Sequence, residues 1–366
     1  MAKVSDTNTK RLFCLLRLAI TNSKADQQQF CGITNQDWRQ IYNLALEQGV
    51  LAIAYDGIQR LEEQHQPELE TKVQWAYNVS HIEKIHARQL AVATKLTRAF
   101  AEQGITTLIL KGLSTASLYP TASHRSSGDI DIYLLGEYEK GNSIAQSLNK
   151  SVEYQYFVHS EFVFDGINIE NHRYLVNPFV NSYAAYTEEV LESMAADHTP
   201  HPLIAGAVMP STRFSILFFL RHASWHFARE SVRLRDICDW AVILSHFSNS
   251  EVWGDLLQCL EKANLKRFAA ILTSVVAMVF GVDYSHIFGN KYEELSARVL
   301  NDILTFENPQ KHKRVGFIRA FIEKTRNRIS RKWCYDSVVP DSYWGNIWYS
   351  IKGYITKPKA ITKAKL

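Results

Sequence analysis

The chain has no hydrophobic run long enough to cross a bilayer. Its longest uncharged apolar stretch, Phe268 to Val282, has 15 residues, short of the roughly 20 a spanning helix needs, and reads as a buried helix. It has no CxxC pair. Its five cysteines, at positions 14, 31, 238, 259 and 334, are scattered and odd in number. That pattern excludes a disulfide framework and a thiolate zinc site, and points to a reducing, cytoplasmic compartment. The apolar segment from Leu12 to Ile20 is broken by Arg17 and lacks a small-residue cleavage site, so no signal peptide is expected. There is no internal repeat and no low-complexity segment ahead of the basic C-terminal stretch. What is present is globular chemistry: 46% hydrophobic and 21% charged residues over 366 positions, too apolar for disorder and long enough for two or three structural units.

Charge is unevenly spread. The whole chain is +4, yet residues 311–366 hold 14 Lys and Arg against three acids, which leaves the preceding residues net negative. Trp333, Tyr335, Tyr343, Trp344, Trp348, Tyr349 and Tyr354 interrupt this basic stretch. It is either a weak contact surface for an anionic partner, nucleic acid or membrane, or a helical appendage whose aromatics pack on the body. The second is expected, since no nucleic-acid-binding motif accompanies it.

Periodicity gives a helical region at 1–104, an α/β core at 105–178, a helical domain at 179–310 and the basic extension at 311–366. Thr34 precedes Asn-Gln-Asp-Trp and a 3.6-residue apolar pattern, an N-cap signature. No Gly or Pro falls between Glu68 and Gln103, so one long helix or two abutting ones are expected, stopped at Gly104. A short apolar run from Thr106 to Leu110 reads as a buried strand. Leu113 to Tyr119 reads as a short helix, Asp129 to Leu135 as a strand and Glu137 to Asn149 as a helix. Asp165-Gly166 between the alternating runs Glu161–Phe164 and Ile167–Glu170 predicts a hairpin with a type I′ turn. Helices follow at 211–229, 232–247, 251–263 and 266–280.

The chemistry concentrates in the core. Asp129 and Asp131 stand two apart on a strand, so both carboxylates leave one face while Ile130 and Ile132 enter the interior. Carboxylates that close repel unless a cation lies between them, and an oxygen-only pair suits Mg²⁺. Glu170 is the candidate third acid, on the same strand face as Asn168 and His172. Upstream, Lys111-Gly112-Leu113-Ser114 joins a strand to a helix. Gly112 lets backbone approach a ligand, helix amides attract phosphate, and Lys111 and Ser114 add a charge and a hydroxyl. Arg125, in the loop before the acidic strand, has a guanidinium fork suited to phosphate.

Leu108-Ile-Leu-Lys-Gly-Leu-Ser114, Leu118-Tyr-Pro120, Arg125 and Gly128-Asp-Ile-Asp-Ile132 resemble the Lys-Gly, Tyr-Pro, Arg, Asp-x-Asp signature of the uncharacterised bacterial nucleotidyltransferase-like family, within the DNA polymerase β-type superfamily. The match is sharpest over residues 105–175. The resemblance implies an α+β fold with a small mixed-sheet core between helical regions. It implies that Asp129, Asp131 and Glu170 hold two Mg²⁺ ions, and that Lys111, Gly112, Ser114, Arg125 and Gly128 bind a nucleoside triphosphate, ATP being expected. The implied reaction moves a nucleoside monophosphate to a hydroxyl on a small molecule, a protein or an RNA, and releases pyrophosphate. Two other readings stand beside it: a catalytically inactive Mg-nucleotide-binding regulatory module, and a non-enzymatic helical scaffold.

Several residues flank this core. His222 and His226 have metal-ligand spacing on a helix but lack the Glu of a zinc protease, so a packed or hydrogen-bonded pair is expected, the alternative being that they line the acceptor side of a cleft. Arg235, Asp236 and Asp239 are either surface salt bridges or part of a cleft helix. His172 either supports a metal ligand or caps the sheet. His81 and His86 are expected to be structural.

Overall fold

The computed structural model describes residues 6–21, 26–148, 151–155, 158–249, 251–306 and 325–348. Its first helices are α1 (Asp6–Ile20), α2 (Asn35–Glu47), α3 (Leu51–Gln59) and α4 (Leu69–Ala101). Thr34 caps α2 as its sequence position suggests: its hydroxyl accepts from the Asp37 amide while the Asp37 carboxylate accepts from the Thr34 amide. The stretch free of Gly and Pro forms one 33-residue helix, α4. The α1–α3 crossing is close because residue 57 is glycine; a Cβ there would lie 2.2 Å from the Leu15 carbonyl oxygen.

Seven strands follow, interleaved with helices: β1 (Leu108–Ile109), α5 (Leu113–Ala116), β2 (Asp129–Tyr133), α6 (Tyr138–Ser147), β3 (Glu153–Gln155), β4 (His159–Phe164), β5 (Ile167–His172), α7 (Ser182–Met194), β6 (His198–Pro200) and β7 (Val208–Pro210). They form one mixed sheet in the order β3-β4-β5-β2-β1-β7-β6. β2 runs parallel to β5 and antiparallel to β1, while β7 joins β1 in parallel. The sheet therefore reaches Pro210 and draws β6 and β7 from outside the 105–178 stretch. Asp165 and Gly166 have φ of +46° and +77°, the left-handed pair a type I′ turn requires.

Alternation along these strands sorts the sheet into an apolar and a polar face. Ile130, Ile132, Phe162, Phe164, Ile167 and Ile169 pack with Val92, Ala93, Leu96 and Phe100 of α4 and with Ala145 of α6. The intervening residues face the other way, toward α8 (Thr212–Glu230) and α9 (Leu234–Phe247). Those helices join α1–α3, α10 (Trp253–Lys262), α11 (Lys266–Phe280), α12 (Ser285–Phe288) and α13 (Glu293–Thr305) in the larger apolar core. The apolar stretch from Phe268 onward is α11, buried as its composition demands; among the described residues no helix is long and apolar enough to cross a membrane.

Part of the basic extension lies outside the described residues, namely 311–324 and 349–366 with Tyr349 and Tyr354, and so does most of the surface proposed for an anionic partner. In the described part, α14 (Lys332–Ser337) buries Cys334 and packs Trp333 and Tyr335 on the body. Arg331 pairs with Asp302 at 3.1 Å. Trp344 and Trp348 are exposed.

Candidate active site

Parallel pairing of β2 and β5 sets Asp129 opposite Asn168 and Asp131 opposite Glu170. Opposed residues share a face, so the three acids and His172 stand on the polar side of the sheet. Asp131 is fully buried. Its Oδ1 accepts from Lys111 Nζ at 3.2 Å and faces His172 Nε2 at 3.1 Å. Its Oδ2 is buried and, among the described residues, has no hydrogen-bond partner. Ligand atoms of Asp131, Glu170 and His172 lie within 4.8 Å of one another.

The charges of this cluster condition one another. Burial would raise the Asp131 carboxyl, but Lys111 and His172 hold it well below the usual carboxylate range. Burial would lower the Lys111 ammonium, yet Asp131, Asp129 and Glu170 together raise it. His172 is likewise raised: burial opposes its charge and the bond to Asp131 outweighs burial. Glu170 goes the other way, pushed up by burial and then by the two aspartates. His172 Nδ1 faces the Tyr174 carbonyl at 3.2 Å, so each ring nitrogen meets an acceptor.

Lys111 follows β1 at a turn only glycine can make. Gly112 has φ +62° and ψ −95°, and a Cβ there would lie 2.8 Å from Ser127 Oγ. The helix after it, α5, is a single turn, and Ser114 Oγ donates to the Ile109 carbonyl at 2.8 Å. Among the described residues, nothing lies within 4 Å of a Cβ built on Gly128, just before Asp129. Lys111 Nζ also donates to His222 Nε2 at 2.7 Å. His222 lies against His226 with ring centroids 4.3 Å apart, planes tilted by 46° and the two Nε2 atoms 3.1 Å apart, and His226 Nδ1 donates to Glu230 at 2.6 Å.

Arg125 is a buried strut. Its Nε and Nη2 donate to both oxygens of Asp239, at 3.1 and 2.6 Å, and Tyr119 donates to Asp239 Oδ1 at 2.6 Å. This ties the loop before β2 to α9. Asp236 accepts from the Arg233 amide at the start of α9 and lies 3.6 Å from Arg235. His124, beside Arg125, bridges Asp56 of α3 and Glu83 of α4. His86 is buried and His81 is exposed.

One cavity of about 950 Å³ gathers most of these residues. Lys111, Gly112, Ser114, Arg125, Gly128, Asp129 and Asp131 line one side, and His222, His226, Arg235, Asp236 and Asp239 line another. Glu170 and His172 do not line it; they stand one strand further along the sheet. Three participants escape a reading of the sequence alone: Glu230, His159 and Glu161. The last two follow from the hairpin. A two-residue turn at 165–166 fixes the register, which pairs His159 with His172 and Glu161 with Glu170.

A mixed sheet with paired acids on the wall of a deep cavity, a lysine beside them and helices on both faces defines a nucleotidyltransferase-like α+β protein. The family described as "Uncharacterised nucleotidyltransferase" matches residues 34–281, about two thirds of the chain, and the chain belongs to that family. Membership supports nucleotidyl transfer in general. No curated protein and no solved structure matches the chain.

Proposed function

We propose that the chain moves a nucleoside monophosphate group from a nucleoside triphosphate, ATP being the expected donor, to a hydroxyl-bearing acceptor, with pyrophosphate as the second product. The observation that carries this reading is the bare, buried Oδ2 of Asp131 next to Asp129 on the cavity wall. A buried carboxylate oxygen without a partner is costly, and a divalent cation relieves that cost. Asp129, Asp131 and Glu170 offer carboxylate oxygens, as Mg²⁺ prefers; the ligand atoms that already lie within 4.8 Å of one another are those of Asp131, Glu170 and His172, so Asp129 would join an ion held there from the cavity side. Bound there, Mg²⁺ supplies charge neutralisation on the triphosphate and on the leaving pyrophosphate.

The rest of the chemistry belongs to the chain. Lys111 brings a full positive charge to the phosphates, and Gly112 keeps side-chain bulk away from them. Arg125 holds the loop leading to Gly128 against α9 through Asp239 and thereby aims the acidic strand. On the opposite wall, His226 meets Glu230 through Nδ1 at 2.6 Å and His222 through Nε2 at 3.1 Å, and His222 in turn meets Lys111, a polar chain that holds the Lys111 ammonium toward the acids. The cavity, near the upper end of the roughly 300–1,000 Å³ typical of small-molecule sites, accommodates a nucleotide with a small acceptor or the tip of a larger one.

The test is Mg²⁺-dependent pyrophosphate release from each nucleoside triphosphate with candidate acceptors. Asp129→Asn/Asp131→Asn is expected to lose at least about 100-fold, the loss of a few kcal/mol of charge stabilisation. Equal rates in wild type and variant reject the reading. Tight nucleotide binding with no turnover would replace it with a nucleotide-sensing module.

A further inference from the structure

Glu170 is 9% exposed, and among the described residues its carboxylate makes no hydrogen bond. Its Oε2 lies 4.0 Å from His159 Nε2 and 3.9 Å from His172 Nε2. Those separations exceed hydrogen-bonding distance, about 2.7–3.2 Å. They match the spacing, about 3–4 Å, of two ligands each held near 2.1 Å from one ion. His159 Nε2 and Glu161 Oε1 are hydrogen-bonded at 3.2 Å, a bond that a shared ion would replace. The ligand atoms of His159, Glu161 and Glu170 all lie within 4.8 Å of one another, and so do those of Asp131, Glu170 and His172. Glu170 is the member the two sets share.

Strand register produces this arrangement. The Asp165-Gly166 turn pairs Glu161 with Glu170 and His159 with His172 across β4 and β5, and all four stand on the polar face. His172 donates from Nδ1 toward the Tyr174 carbonyl, the backbone bond that orients the other ring nitrogen of a metal-binding histidine. None of His159, Glu161 and Glu170 lines the cavity. The donor set differs in kind from the Asp129–Asp131 pair: imidazole with carboxylates suits Mn²⁺, Fe²⁺, Co²⁺ or Zn²⁺, whereas oxygen-only sites suit Mg²⁺.

We propose that His159, Glu161 and Glu170 form a transition-metal site outside the cavity, and that Glu170 bridges it to the cation position at Asp131. The proposal deepens the nucleotidyl-transfer reading and rests on it only through Glu170. Metal held on the hairpin fixes the Glu170 carboxylate beside Asp131, so occupancy of the outer site tunes the inner one.

The experiment uses the full chain, stripped with chelator and titrated with Co²⁺ under visible absorption and equilibrium dialysis. The expected result is a ligand-field band stronger than that of hydrated Co²⁺. The band persists in excess Mg²⁺, is bleached by Zn²⁺, remains in Asp129→Asn, and is lost in His159→Asn and in Glu161→Gln. Residues 159 and 161 are only partly buried, so both variants are expected to fold; circular dichroism checks this. Absence of the band, its erasure by Mg²⁺, or its survival in both hairpin variants overturns the proposal. Pyrophosphate release by wild type in Mg²⁺ separates the two readings. Release without a Co²⁺ band overturns the outer site and leaves transfer standing, while a band without release does the reverse.

Discussion

Arg125 is the residue whose sequence context and structural surroundings point to different duties, and its removal gives a worked prediction. The guanidinium and the Asp239 carboxylate are buried, 6% and 2% exposed at their side chains, and share two hydrogen bonds. Arg125→Met leaves Asp239 with one neutral donor, Tyr119. An uncompensated buried charge costs about 3–5 kcal/mol, so the single variant is expected to lose that much. Arg125→Met/Asp239→Leu removes both charges, and burying matched apolar groups in place of an ion pair is close to neutral. The double variant should therefore recover at least about 2 kcal/mol over the single one, a coupling too large for independent sites. Urea unfolding can be followed through Trp240, which adjoins Asp239 on α9 and is fully buried. A single-variant loss below about 1 kcal/mol, or additive losses, would refute the strut and return Arg125 to the phosphates.

Other consequences are as direct. Gly112→Ala forces a Cβ onto a φ of +62°, 2.8 Å from Ser127 Oγ; it should cost about 1–3 kcal/mol in a thermal melt and weaken nucleotide binding by calorimetry. Gly57→Ala drives a Cβ into the Leu15 carbonyl at the α1–α3 crossing and should lower the melting midpoint by a comparable amount, since backbone gives less readily than a side chain. His201 is buried, its Nδ1 accepts from the Leu203 amide, and burial lowers its imidazole to about 4 from 6.5. Its contribution is therefore complete above pH 6.5 and is lost as pH falls toward 4. His201→Asn, which keeps an acceptor but does not titrate, should reduce the acid-induced loss between pH 7 and 4.5 by about 2–3 kcal/mol. His124, raised by Asp56 and Glu83 against burial, has the opposite sign: its stabilisation is full below 6.5 and fades as pH rises past its folded value. His124→Gln should cost more at pH 6 than at pH 8.

Local signals that coincide with strong backbone requirements were legible in the sequence. The Thr34 cap, the uninterrupted helix from Leu69, and the Asp165-Gly166 hairpin each follow from chemistry confined to a few neighbouring residues. The acidic strand and its partner were legible because a two-residue period assigns side chains to faces. β3, β6 and β7 were not: each has three residues, too few for a period, and His198-Thr-Pro200 takes strand form only because β7 lies alongside it. Arg125 shows the other limit. A guanidinium before an acidic strand suits phosphate equally with carboxylate, and its partner stands 114 residues away on α9. His159 and Glu161 were within reach, since the turn that pairs the strands also fixes what lies opposite Glu170.

The long helix α4 touches the acidic strand's surroundings at both ends of the loop system. Glu83 meets His124, and Gln89 donates to the Ser127 carbonyl two residues before Asp129. From the same helix, Arg88 donates to the Asp165 carbonyl and Lys95 pairs with the Asp165 carboxylate at the hairpin tip. The helix is a gauge block against which both sides of the polar face are set, so a fragment cut to the strands alone would forfeit its alignment. The matched family segment opens at residue 34 and encloses all of α4, so the smallest piece worth expressing, grafting or evolving is one that carries this helix along.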